Sequence, residues 1–251
     1  MTGIARMFDL TGKRALVTGA RTGLGRLAAE TLAEAGADII GLGSEPMPET
    51  AEAVVVLGRH FEQHQVDLTD PAAVRAFCDT VDEVDILINN AGQIRRQDLL
   101  EFSQEDWDAV VQINLTAAFS LSQAVARRMV NASIAGRIVN IASLLSFQGG
   151  IRVVSYTSAK HGILGLTRAM ANELAGSGIT VNAIAPGYIA TDNTEALRND
   201  PDRASAILER IPAGRWGRPE DLAPAMLFLC APASGYVTGS CVTVDGGWMT
   251  R

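Results

Sequence analysis

Short runs of β-branched and aliphatic residues alternate along this chain with longer segments that carry helical patterns. Seven such runs occur: RALVTG, ADIIGLG, HQVDL, VDILINN, GRIVNIAS, GITVNAIAPG and SCVTVDGG. Strands separated by segments of helix length form βαβ units with parallel strands, and largely apolar runs such as Val84–Ile88 are typical of strands covered on both faces. The sequence therefore predicts an α/β fold: a single-domain, Rossmann-like, doubly wound structure with a seven-stranded parallel sheet flanked by helices, spanning residues 1–251.

The composition restricts the partners and the compartment of such a domain. The 251 residues are 47% hydrophobic and 20% charged, with a formal net charge of −7. This acidic balance disfavours binding to a nucleic-acid backbone, but a few local arginines would still allow a small anionic substrate.

Cysteine and histidine usage argues against disulfides and metal. The three cysteines and three histidines lack the spacing of a disulfide framework or a metal site. No basic and apolar leader opens the chain and no run of 18 apolar residues occurs, so we expect no membrane partner and a cytoplasmic location.

One segment breaks the alternation. Residues 188–218 are polar and charged, contain helix-compatible stretches but no strand, and follow directly on a predicted strand. Ligands bind outside the carboxyl ends of strands in an open α/β sheet, so this segment is a candidate substrate lid. A pair of ordinary surface helices is an equally good interpretation.

A glycine-rich turn follows the first predicted strand. The stretch TGARTGLG places Gly19, Gly23 and Gly25 between that strand and a helix predicted to extend to about Gly36. Glycines at such a turn let backbone amides approach a pyrophosphate at the helix N-terminus. The turn predicts a dinucleotide site, to which Arg21, Thr22 and Leu24 also belong.

The end of the second strand bears on the choice between NAD and NADP. It offers Gly43, Ser44 and Glu45 but no basic residue, which favours NAD as cofactor, whereas Arg21 could still reach the 2′-phosphate of NADP. After the third strand, Asp67 and Leu68 are candidates for an adenine contact, although Asp67 equally suits a turn. After the fourth, the two amides and the glycine of NNAG could line a cofactor pocket, although turn chemistry alone would also explain them.

The sequence SYTSAK places Tyr156 four residues before Lys160 in a helical pattern. Residues at this spacing lie on one helix face, with Cβ atoms about 5–6 Å apart. A lysine cation near a phenol favours the phenolate, so we expect Lys160 to lower the pKa of Tyr156. Ser143, at the end of the preceding strand, would hydrogen-bond a substrate oxygen in the same cleft.

Taken together, TGARTGLG, NNAG, INLT, Ser143, the Tyr156–Lys160 pair and PGYIAT resemble the short-chain dehydrogenase/reductase family over nearly the whole chain. The resemblance implies that Tyr156 is the general acid/base, that Ser143 orients the substrate and that Lys160 holds the nicotinamide ribose. It further implies a water relay through Asn114 and a homotetramer. Asn89, Ala91 and Gly92 would then border the cofactor, and the nicotinamide end would lie near Pro186, Gly187, Ile189 and Thr191.

The stretches NNAGQIRR and SFQGGIR resemble a subgroup of this family, the deoxygluconate dehydrogenases, which implies a deoxy-sugar acid as substrate. Arginine forks suit carboxylates, so Arg95, Arg96 and Arg152 are candidates to bind that group, and Gln148 could hydrogen-bond a sugar hydroxyl. The alternatives are a 3-oxoacyl thioester reductase, a polyol dehydrogenase and, more remotely, a dinucleotide-binding protein without catalysis.

Overall fold

The computed structural model describes residues 3–251 and all of their side chains except that of Asn193. Seven strands form one sheet in the order β3-β2-β1-β4-β5-β6-β7, and every neighbouring pair is parallel. The predicted fold class is confirmed. The strands are β1 (Arg14–Thr18), β2 (Asp38–Gly43), β3 (Phe61–Gln65), β4 (Ile86–Asn89), β5 (Arg137–Ile141), β6 (Thr180–Pro186) and β7 (Cys241–Val244).

Helices connect the strands as the alternation predicts. They are α1 (Gly3–Met7), α2 (Gly23–Glu34), α3 (Pro48–Val56), α4 (Pro71–Thr80), α5 (Gln104–Val111), α6 (Ala117–Asn131), α7 (Val154–Leu174), α8 (Glu195–Arg198), α9 (Pro201–Arg210) and α10 (Ala223–Cys230). The glycine-turn helix, α2, ends two residues before Gly36. Helices α8 and α9 lie in the segment 188–218, which also forms an isolated bridge between Ile189 and Gly217.

Successive strand residues face opposite sides of the sheet, which explains the nearly continuous apolar runs. In β1, Ala15 and Val17 pack in one buried cluster with α2 and α10, whereas Leu16 packs in a second cluster with α4, α6 and α7. The core therefore consists of two apolar layers, one on each face of the sheet.

The third strand lies three residues earlier than predicted. The sequence favoured HQVDL, but the strand is Phe61–Gln65, with the polar sequence FEQHQ. This strand is at the edge of the sheet, where polar side chains are common because they face solvent. Val66 and Leu68, which the pattern placed in the strand, follow it, and Leu68 is buried.

The helical stretch Gln104–Asn131, which includes α5 and α6, is long and apolar enough to cross a membrane by length and composition alone. Core helices pass the same test. Here the buried side chains of α6 pack in the second apolar layer, among them Leu121, Val125 and Met129. Packing within the domain accounts for the apolar character of this stretch.

The chain order reverses between β1 and β4. From β1 the chain builds outward through β2 and β3, and it then returns to build β4 to β7 on the other side. Such a reversal opens a crevice at the carboxyl ends of the strands. Thr18 joins the two sides, because its hydroxyl accepts hydrogen bonds from the backbone N–H groups of Asn90 and Ala91, each at 2.9 Å.

Candidate active site

A cleft of about 770 Å³ lies at the carboxyl ends of the strands. Both predicted ends of the site line it, since Gly19 and Gly23 share the cleft with Ser143, Tyr156 and Lys160. The other predicted residues that line it are Arg21, Thr22, Leu24, Gly43, Ser44, Asp67, Leu68, Ala91, Gly92, Asn114, Gln148, Pro186, Gly187, Ile189 and Thr191.

The glycine-rich turn leaves room for a ligand at the start of α2. Gly19 and Gly23 have φ angles of +67° and +56°, a region that disfavours other residues. A Cβ atom on Gly25 would overlap the Gly19 carbonyl oxygen, so Gly25 serves close packing rather than the cleft lining. No side chain caps the N-terminus of α2, and its free N–H groups suit a pyrophosphate.

The end of β2 carries an ion pair that the sequence did not predict. The Arg21 Nε atom lies 3.3 Å from the Glu45 Oε2 atom, and both side chains are more than half exposed. Both residues line the cleft beside Gly43 and Ser44, where the ribose of a dinucleotide would lie. Asp67 accepts hydrogen bonds from the backbone and side chain of Thr69, so it forms the turn while also lining the cleft.

Of the two asparagines at the end of β4, the structure places the second in the cleft. The amide of Asn89 donates to the Ser122 hydroxyl and to Asn140 Oδ1, both at 2.8 Å, inside the core. The prediction that Asn89 borders the cofactor is therefore corrected: Asn90 lines the cleft and donates to the Thr18 carbonyl at 2.9 Å. Alternation along the strand sends neighbouring side chains in opposite directions, and sequence alone did not indicate which one faced the cleft.

Ser143 and Tyr156 meet where β5 ends and α7 begins. The Ser143 oxygen accepts a hydrogen bond from the Leu145 N–H at 3.1 Å, which fixes the hydroxyl at the cleft wall. Lys160 lies one turn after Tyr156 and is only 4% exposed. Its Nζ atom donates to the Ile141 carbonyl at 2.6 Å and lies 5.5 Å from the centre of the Tyr156 ring.

The pKa values of this pair differ from the expectation. Burial raises the pKa of the Tyr156 phenol, while Ser143 and the Arg96 charge act in the opposite direction. Burial also lowers the pKa of Lys160 to about 8. The pKa of Tyr156 is therefore raised rather than lowered as the spacing predicted, because desolvation outweighs the neighbouring charges, and the Lys160 ammonium donates to a backbone carbonyl.

Asn114 lies in a π-helical segment, Gln112–Thr116, between α5 and α6. Such segments are rare and often occur at functional sites. Its amide nitrogen donates to the Gln93 carbonyl at 2.8 Å and to the Val110 carbonyl at 2.9 Å. Its Oδ1 atom is buried without a hydrogen-bond partner among the described residues, so it is a free acceptor that suits a water or ligand.

Two of the predicted carboxylate-binding arginines lie outside the cleft lining. The Arg95 Nε atom is 3.7 Å from Asp106, and the Arg152 Nε atom is 3.3 Å from Asp98. Arg152 also has a left-handed backbone, with φ +64°. The assignment is corrected, because only Arg96 of the three predicted arginines lines the cleft. A turn that is irregular in this way cannot be inferred from residue spacing.

The catalytic end of the cleft includes residues that sequence reasoning did not place there. Trp248, near the end of the chain, packs against Tyr188 with ring centres 4.6 Å apart. Arg203 and Arg210 reach the cleft from α9. Only the polar character of segment 188–218 signalled their involvement, and nothing local signalled Trp248.

This arrangement joins a dinucleotide-type turn to a serine, tyrosine and lysine in one cleft. Residues 19–249 also match a family model described as Enoyl-(Acyl carrier protein) reductase. The chain belongs to the short-chain dehydrogenase/reductase family.

Individual relatives cover almost the entire chain. It is 51% identical to a 2-dehydro-3-deoxy-D-gluconate 5-dehydrogenase of Escherichia coli over 99% of this chain and all of that protein. A structure from Agrobacterium tumefaciens with bound NADP, assigned as a 2-deoxy-D-gluconate 3-dehydrogenase, has 53% identity and a TM-score of 0.93, covering 98% and 99% of the two chains. A gluconate 5-dehydrogenase of Burkholderia cenocepacia, in complex with NADP and tartrate, has 36% identity and a TM-score of 0.91, with 99% of each chain covered.

Proposed function

We propose that this protein is an NAD(P)-dependent oxidoreductase that transfers hydride between a nicotinamide cofactor and a keto or hydroxyl group of a deoxy-sugar acid. The substrate type is that of 2-dehydro-3-deoxy-D-gluconate 5-dehydrogenase, also called 2-deoxy-D-gluconate 3-dehydrogenase. The observation that carries the proposal is the position of Ser143, Tyr156 and Lys160 at one end of a cleft whose other end is the glycine-rich turn. About 50% identity to proteins of that activity supports the substrate class.

A bound nicotinamide dinucleotide would supply the hydride donor or acceptor. The chain would hold its phosphates at the start of α2 and its ribose near Lys160. The turn fits this group, since Gly19 and Gly23 line the cleft without side chains and the helix N-terminus is uncapped. NAD and NADP both remain candidates, because Arg21 and Glu45 present opposite charges at the end of β2.

Tyr156 would move the proton that accompanies hydride transfer. Its raised pKa keeps the phenol protonated at neutral pH, so Tyr156 is ready to donate a proton to a substrate carbonyl. The Ser143 hydroxyl, whose oxygen already accepts from Leu145, is free to donate to the same carbonyl oxygen. Asn114 would support a water relay to Lys160 through its free Oδ1 atom.

We further propose that residues 188–218 act as the substrate lid of a single-domain enzyme, since Arg203 and Arg210 reach the cleft from this segment. Homotetramer formation is supported by exposed apolar residues on α6, including Phe119 and Val130. Three free cysteines suit the reducing cytoplasm.

Initial-rate measurements with NAD and NADP test the function. The substrates are deoxy-sugar acids, neutral polyols and a 3-oxoacyl thioester, and we expect the highest kcat/KM with a deoxy-sugar acid. A higher value with the thioester or a polyol would identify one of the alternative enzymes. Tyr156→Phe should lower kcat by about 10²–10⁴-fold, whereas Tyr236→Phe, at a fully exposed position, should leave it unchanged.

A further inference from the structure

Three distant parts of the chain meet at the catalytic end of the cleft. The guanidinium carbon of Arg210, at the end of α9, lies 3.8 Å from the centre of the Trp248 ring. The Trp248 indole N–H donates to the Gln148 Oε1 atom at 3.1 Å. Gln148 lies five residues after Ser143, and all three residues line the cleft. The lid, the C-terminal turn and the loop that follows Ser143 thus form one connected wall.

Charged side chains are distributed unequally between the two ends of the cleft. Glu45 and Asp67 lie with Arg21 at the nucleotide end. At the other end, Arg96, Arg203 and Arg210 line the cleft together with one carboxylate, that of Asp192. An excess of cations at this end suits a substrate that carries a negative charge.

We propose that Arg210 binds the carboxylate of the substrate, and that Trp248 is the positioning residue that holds its guanidinium in place. This inference rests on the proposed function, because it assigns the charged group of a sugar acid to one residue of the lid. A guanidinium held over an aromatic ring keeps its N–H groups free to bind a carboxylate. Within the described part of the chain, the Arg210 guanidinium has no ion-pair partner.

The backbone around Arg210 is anchored on both sides. Ile211, the next residue, is 4% exposed and shares a buried cluster with Leu144 and Trp248. The Arg251 side chain donates to the carbonyl oxygens of Glu209 and Arg210, at 2.8 and 3.3 Å. These contacts favour Arg210 over Arg203, which lies about two turns earlier on α9 and, among the described residues, is not held over an aromatic ring.

Gln148 provides an oriented hydrogen-bond donor near the Arg210 guanidinium. Because its Oε1 atom accepts the indole N–H, its amide nitrogen is oriented away from Trp248. The amide nitrogen is thereby available to a substrate oxygen near Ser143. Trp248 therefore orients a charged group for the carboxylate and a neutral donor for a hydroxyl or keto oxygen.

The test compares one sugar acid with its methyl ester, using purified full-length protein and saturating cofactor. For Arg210→Gln we expect KM for the acid to rise by about 10–100-fold, the range of a lost charge-assisted hydrogen bond, with a much smaller change in KM for the ester. Arg75→Gln is the charge-matched control, since Arg75 is an exposed residue of α4 outside the cleft lining. Both KM values should stay unchanged in that variant.

Trp248→Phe tests the positioning role. It keeps an aromatic ring under Arg210 but removes the indole N–H, so we expect an intermediate loss of preference for the acid over the ester. A structural defect alone would reduce activity with both substrates and leave their ratio at the wild-type value. That unchanged ratio would overturn the positioning role.

Two further outcomes are distinguishable. If the wild-type protein reduces or oxidises the sugar acid and Arg210→Gln retains the wild-type ratio of acid to ester KM, the assignment of Arg210 is wrong while the proposed function stands. If the wild-type protein turns over no sugar acid, the proposed function itself fails. Arg210 is exposed, so its substitution leaves the core intact and the comparison interpretable.

Discussion

Replacing Lys160 by methionine should change how the stability of the protein depends on pH. Lys160 is 4% exposed, and burial lowers its pKa from 10.5 to about 8. Each pKa unit corresponds to about 1.4 kcal/mol of free energy. Keeping the charged form in the folded protein therefore costs about 3 kcal/mol at pH values below 8.

The direction of the effect follows from proton linkage. Below pH 8 both the folded and the unfolded chain bind the proton, and the cost is present in full. Between pH 8 and pH 10.5 the unfolded chain binds more protons than the folded one, so the free energy of unfolding rises with pH. We expect the wild type to gain about 2–3 kcal/mol relative to Lys160→Met between pH 7 and pH 10.

Urea denaturation of both proteins at several pH values measures this difference, and other titrating groups cancel because the two chains share them. A difference that stays constant between pH 7 and pH 10 would refute the reasoning.

The chain has only one other lysine, Lys13. A ¹³C-lysine-labelled sample should therefore show two side-chain Cε signals, and the one that persists in Lys13→Met should titrate near pH 8.

Three other substitutions probe separate parts of the molecule. Glu45→Gln frees Arg21 from its ion pair and removes a negative charge, so the ratio of kcat/KM with NADP to that with NAD should rise; an unchanged or lower ratio would contradict this account of the pair. Gly25→Ala places a methyl group against the Gly19 carbonyl and should weaken dinucleotide binding at least about tenfold in a fluorescence titration; wild-type affinity would show that the turn is not held as described. Arg137→Met should lower the free energy of unfolding by about 3 kcal/mol, because the buried guanidinium donates to the carbonyls of Ala135, Gly136, Ala231 and Pro232; a change below about 0.5 kcal/mol would count against this role.

The seven strands and their parallel arrangement were accessible from sequence because parallel strands buried on both faces leave long apolar runs. The edge strand β3 was placed three residues too late, because its sequence FEQHQ is polar and the apolar residues that suggested a strand lie beyond it. Apolar patterns predict strands that are buried, so they misplace an edge strand, which is only partly buried.

The candidate site likewise contains residues that the sequence identified and residues that only the structure revealed. Tyr156, Lys160 and Ser143 were identified because their spacing and their place at a strand end are local properties. Asn89 was predicted where Asn90 faces the cleft, because one step along a strand reverses the direction of a side chain. Of the three predicted arginines only Arg96 lines the cleft, and spacing alone did not distinguish it from Arg95 and Arg152. Arg210 and Trp248 are 38 residues apart in numbering, and only the folded chain brings the guanidinium against the indole.

The reversal of chain order between β1 and β4 separates two tasks along the polypeptide. Residues up to β3 supply the turn and the charged pair at the nucleotide end, whereas the hydroxyl, phenol and ammonium of the chemical end all come from segments after β4. We therefore expect substitutions that change the preferred substrate but not the cofactor to fall in segments after β4. The Thr18 hydroxyl ties those segments to the nucleotide end, because it accepts hydrogen bonds from the backbone N–H groups of Asn90 and Ala91.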